Sequence, residues 1–194
     1  MLKLVIMTLK QLTKTRAAKF GTFLLEFATP GIGHILKAAG CDFVLVDMEH
    51  SGLGLDALKK TLRYLEAAGL PAIIGMPTKE PHYVSRALDL GAEGVMSPMV
   101  SSAHDVRESL NKVKFPPHGQ RAVSIQVGHD RYAPSPVAPM LASSNQRTVY
   151  FAKIECAAAV EDVEQIAAIE GVDGLWLGHY DLSASLGFAS VWGL

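Results

Sequence analysis

The stretch VYFAKIECAAAVEDVEQIAAIEGVDGLWLGHYDLSASLG (149–187) decides the fold. It contains two short apolar runs, VYFAKIE (149–155) and GLWLGHYD (174–181), separated by a helical pattern, AAAVEDVEQIAAIEG (157–171). The runs are apolar almost throughout their interiors, as strands buried on both faces are. A strand, a helix and a further strand in this order make a parallel βα unit. Each run also ends in a carboxylate, Glu155 and Asp181.

Working outward, the same rhythm extends back to Phe20. Further apolar runs are GTFLLEF (21–27), FVLVDME (43–49), AIIGMP (72–77), GVMSPMV (94–100) and AVSIQV (122–127). Helical patterns separate them: PGIGHILKAAG (30–40), LDALKKTLRYLEAAG (55–69), PHYVSRALDLG (81–91) and AHDVRESLNKV (103–113). Three of these end in AG or LG, where glycine supplies the left-handed cap. Seven strands in series admit a doubly wound open sheet or a (β/α)₈ barrel. No G-x-G-x-x-G follows the first strand, and GIGH (31–34) is the wrong pattern for a dinucleotide site. Glu26, Glu49, His50, Glu155 and Asp181 all stand at strand ends, where barrel enzymes place their chemistry. The expectation is one α/β domain over 1–194, a (β/α)₈ TIM barrel lacking its last strand and helix, since ASVWGL (189–194) reads as neither. The Pro-, Ser- and Ala-rich segment 128–147 is expected to be a long functional or interface loop, with His129, Asp130 and Arg131 facing solvent or a partner.

Composition narrows the function. Of 194 residues, 49% are hydrophobic and 19% charged, with net charge −1, which describes a globular core and excludes disorder. No apolar run reaches the roughly 18 residues of a membrane span, so no membrane role is expected. The balance of 18 Lys and Arg against 19 Asp and Glu gives no footprint for nucleic acid. Cys41 and Cys156 fit neither zinc spacing nor a disulfide framework, and a reducing cytoplasm is the natural setting. The opening 1–20 carries five Lys or Arg and no acid, but it lacks serine and a cleavage pattern, so a first helix is expected there.

Glu155 and Asp181, on adjacent strand ends, suit a hard divalent cation completed by waters. Alternatively, Asp181 caps the following helix and Glu155 sits in a first helical turn. His50, in VDMEHSG, is placed for a general base because imidazole titrates near neutrality, or else is a surface turn residue. Asp89 ends a helix, where its charge opposes the dipole unless a nearby cation offsets it. Lys153 stands two residues before Glu155 and so shares its face of the strand, deeper in the barrel. It is either a Schiff-base amine or the partner of a carboxylate such as Glu155. Trp176 reads as core.

Four stretches in order, CDFVLVDMEH (41–50), RALDLGAEGVMSPMV (86–100), FPPHGQRAV (115–123) and 152–187, resemble the HpcH/HpaI family of class II pyruvate aldolases. The resemblance runs from about Phe20 to Gly187 and implies a barrel of the phosphoenolpyruvate/pyruvate type, usually hexameric. It implies reversible cleavage of a 4-hydroxy-2-oxo acid to pyruvate and an aldehyde, dependent on Mg²⁺, Mn²⁺ or Co²⁺. By motif, Glu155 and Asp181 match the metal ligands, His50 the base and Asp89 the carboxylate supporting it. Gly178 and Tyr180 match the loop whose amides hold the pyruvate carboxylate. Three positions depart from the pattern: Gly75 stands where the family has an arginine, Lys153 where it has glutamine, and His179 where proline is common. Lys153 is therefore expected to supply the cation that Gly75 lacks. The alternatives are a Schiff-base aldolase using Lys153 and a non-catalytic keto-acid-binding or assembly homologue.

Overall fold

The computed structural model describes residues 7–188. ASVWGL (189–194), read as containing no further strand, lies outside the described residues. Six parallel strands form one sheet in sequential order: β1 (Gly21–Leu24), β2 (Phe43–Asp47), β3 (Ala72–Gly75), β4 (Gly94–Ser97), β5 (Val149–Ile154) and β6 (Gly174–Leu177). Each crossover carries helix: α2 (Ile32–Ala38), α3 (Leu55–Ala67), α4 (Pro81–Asp89), α5 (Ala103–Val113) with α6 (Val137–Arg147), and α7 (Ala157–Glu161) with α8 (Val163–Ala167). α1 (Leu9–Thr13) precedes the sheet and α9 (His179–Ser185) follows it.

Alternation along each strand divides the apolar side chains into two layers. Val44, Val46, Ile74, Val95, Tyr150, Ala152 and Ile154 point outward and pack on α3, α4 and α5 through residues such as Leu58, Leu62, Val84, Leu88 and Val106. Leu45, Ile73, Met96 and Val149 point inward. The sheet curls far enough for Trp176 on β6 to meet Phe23 of β1 edge-on, with ring centroids 5.8 Å apart, and to pack on Phe43 and Phe151 as well. This curl gives a half-barrel, with Trp176 part of its interior as expected. Leu9 and Leu12 of α1 close the interior at the N-terminal ends of the strands. A capping box between Thr8 and Gln11 starts that helix, and Glu93 accepts a hydrogen bond from the Leu9 N–H at 2.7 Å. The expected first helix is found as α1, and residues 1–6 of the opening lie outside the described residues. No helix among the described residues is long and apolar enough to cross a membrane.

Three expectations need correction. AVSIQV (122–127) is not a strand, so the described residues hold six strands where seven were expected. β5 pairs directly with β4 (Gly94 with Val149, Ser97 with Ala152), which fills the edge beside β4 that a strand next in sequence would have taken. Val123 and Ile125 are left exposed, and Gln126 turns into the left-handed region at φ 58°. Segment 128–147 is not a structureless loop, because its second half is α6. His129 does not face solvent but is buried, with Nε2 2.9 Å from the Ser124 carbonyl, and burial holds its pKa below the ordinary imidazole value.

Candidate active site

The inward positions turn polar toward the C-terminal ends of the strands: Asp47 on β2, Gly75 on β3, Lys153 on β5, with Glu155 one position beyond β5. An apolar floor beneath polar rim residues is how a parallel barrel presents a site. Asp47 is buried and its Oδ1 accepts the N–H groups of Glu49 (2.7 Å) and His50 (3.2 Å), which fixes the turn that carries both.

Lys153 and Glu155 lie at the centre. The Lys153 ammonium is 2.6 Å from Glu155 Oε2 and 3.0 Å from Glu49 Oε2. Of the two readings of Lys153, the structure shows the carboxylate partner. Burial, the largest influence, pulls its pKa down, but the two carboxylates together more than reverse this and hold it above the ordinary lysine value. Lys153 is therefore a fixed cation at neutral pH and a poor Schiff-base nucleophile.

Glu155 is 1% exposed. Its Oε1 accepts the Met99 N–H at 2.6 Å, and Met99 adopts φ 47° to direct that group inward. Oε2 has the ammonium beside it but off the hydrogen-bonding direction, so it is ion-paired without a directed hydrogen bond. An anionic oxygen with lone pairs to spare fits a cation-binding role. Asp181 lies exposed in the first turn of α9, just past β6, and no cage of three or more His, Cys, Asp or Glu is gathered among the described residues. Glu155 and Asp181 are both hard oxygen donors, the ligand type that Mg²⁺ or Mn²⁺ takes together with substrate and water.

His50 is solvent-accessible, with Nε2 3.6 Å from Glu49 Oε2. Asp89 is not brought to it within one chain. It lies at the C-terminus of α4, which enters β4 at the N-terminal rim, whereas His50 follows β2 at the C-terminal rim. There Asp89 pairs with Arg121, 2.5 Å away and almost fully buried. This is the cation that offsets its charge against the helix dipole. Asp89→Ala would strand a buried guanidinium, and a stability loss of about 2–3 kcal/mol is expected in urea melts.

Gly178 does something other than the amide role the resemblance implies. Its N–H donates to the Ile154 carbonyl at 2.9 Å and so belongs to the sheet. What the position requires is the absence of a side chain: a Cβ there would lie 2.7 Å from both Cβ and Oε2 of Glu155 and 3.2 Å from Lys153 Cε. Gly178→Ala should displace the carboxylate and lower turnover roughly 10- to 100-fold, read as steady-state kcat. Tyr180 is exposed in α9, with its ring 4.1 Å from that of His179. Sequence reasoning placed Glu49 at a strand end without a role and passed over Asp47. Their spacing in VDMEH, two apart on the inward face, was the available signal.

Comparison with known proteins gives the family. The family description HpcH/HpaI aldolase/citrate lyase matches residues 19–191. A 2-dehydro-3,6-dideoxy-6-sulfogluconate aldolase of Pseudomonas putida is 34% identical over 174 residues, covering 90% of this chain and 67% of the relative. A 4-hydroxy-2-oxovalerate aldolase of Novosphingobium aromaticivorans is 34% identical, covering 85% and 62% respectively. The chain therefore spans about two thirds of the length of the curated relatives it matches. Among solved structures, an HpcH/HpaI aldolase from Desulfitobacterium hafniense superposes with TM-score 0.87 at 34% identity, covering 94% of this chain and 70% of the other. The chain belongs to the HpcH/HpaI aldolase/citrate lyase family.

Proposed function

We propose that the chain is an aldolase that reversibly cleaves a 4-hydroxy-2-oxo acid to pyruvate and an aldehyde. The observation that carries this reading is the buried Lys153–Glu155 pair at the strand ends, with Asp181 and His50 on the same rim. Glu155 and Asp181 would hold a divalent cation, which when bound supplies polarisation of the keto oxygen and charge for the enolate. Lys153 adds a fixed positive charge where the side chain missing at Gly75 cannot. His50, open to solvent and beside Glu49, exchanges the proton of the 4-hydroxyl group. The aldehyde pocket is formed by rim loops and by a neighbouring copy in a homo-oligomer, a hexamer by the family resemblance, in the cytoplasm.

Pyruvate methyl exchange in D₂O tests the reading by NMR without knowledge of the aldehyde. Exchange that requires Mn²⁺ or Mg²⁺ and stops with chelator is the expected result. Folded protein that binds metal but exchanges no methyl protons would transfer the assignment to a keto-acid-binding homologue without catalysis. Borohydride with pyruvate should trap no adduct on Lys153 at pH 7, because its amine is charged.

A further inference from the structure

We propose that Lys153 is an internal competitor for the divalent cation, its ammonium holding the Glu155 oxygen that a metal would take and keeping the site's metal affinity low. This rests on reading Glu155 as a metal ligand. Of the two Glu155 oxygens, Oε1 already accepts the Met99 N–H while Oε2 has no hydrogen-bond donor, so Oε2 is the less occupied of the two toward a cation. Lys153 Nζ already lies 2.6 Å from it. A metal–oxygen bond to the same atom would bring the two cations within roughly 4–5 Å of each other, where like charges in a buried site repel strongly.

The ammonium has little room to withdraw. Lys153 is 8% exposed, so its ammonium is held among these carboxylates and does not swing out into solvent. The alternative partner is Glu49, 3.0 Å away, so a metal on Glu155 leaves Lys153 to Glu49 alone. Charge gives the same answer. Lys153 cancels one of the three negative charges of Glu49, Glu155 and Asp181, so a neutral residue at 153 makes the site one unit more negative toward a divalent ion. A lysine at this position therefore sets the balance between an occupied and an empty metal site, and it does so without touching the metal.

The experiment is a titration of Mn²⁺ alone, with free aquo ion read by electron paramagnetic resonance, against the wild-type chain and its variants. Lys153→Gln should bind Mn²⁺ at least about tenfold more tightly, the usual scale for a residue beside a ligand. Lys153→Arg should keep the wild-type weakness, and Lys153→Gln combined with Glu155→Gln should lose the gain. Lys153→Ala deletes the same charge and gives the same direction should the Gln variant fail to fold. Equal or weaker binding by the neutral variants, with Glu155→Gln still reducing wild-type binding, would overturn the competition and leave the metal site standing. Binding indifferent to Glu155→Gln in every background would overturn both.

Discussion

Glu155→Gln is expected to lower pyruvate methyl exchange by about 10³-fold, the upper range for removing one charged group from a preorganised site. The substitution nearly preserves shape, so the Met99 N–H keeps an acceptor in the amide oxygen. What disappears is the negative charge at Oε2, which holds Lys153 in place and would bind a cation. Lys153 retains Glu49 as a partner, so the fold should survive, and a thermal melt within a few degrees of wild type is the accompanying expectation. NMR of the methyl protons in D₂O measures the loss. An exchange rate within a few-fold of wild type would remove Glu155 from the mechanism, and with it the reading of the strand ends as the reacting centre.

Lys153→Met should cost about 10²–10³-fold in turnover, because it removes the fixed side-chain cation proposed to help stabilise the developing enolate. The same variant also strands Glu155, which is 1% exposed, with only the Met99 N–H to support its charge. Breaking a buried pair in this way costs about 3–5 kcal/mol. Urea unfolding separates that loss from the chemical one. Binding and turnover are expected to move in opposite directions at this residue: without the ammonium, metal binds more tightly and the reaction slows. A lysine that served packing alone would leave metal affinity unchanged.

The resemblance also assigned Asp89 to the support of His50, and here chain connectivity is informative. α4 delivers Asp89 to the N-terminal rim and β2 delivers His50 to the other, so within one chain Asp89 serves Arg121. The carboxylate beside His50 is Glu49, next to it in the sequence.

The sequence by itself determined the parallel βα order, the positions of most strands and the polar residues at their ends. These are local properties: apolar runs, helical spacing and two-residue alternation persist whatever the rest of the chain does. It also placed Lys153 and Glu155 on one strand face, because two residues apart is one period of a strand. Only the tertiary structure decided that AVSIQV is not a strand, since its apolar content matches that of its neighbours and the outcome rested on β5 taking the edge of β4. Only the tertiary structure could pair Glu49 with Lys153, 104 residues apart, and Asp89 with Arg121, 32 apart. Such pairs depend on the register and curl of the sheet, which are set by all the strands together and are written in no single stretch of the chain.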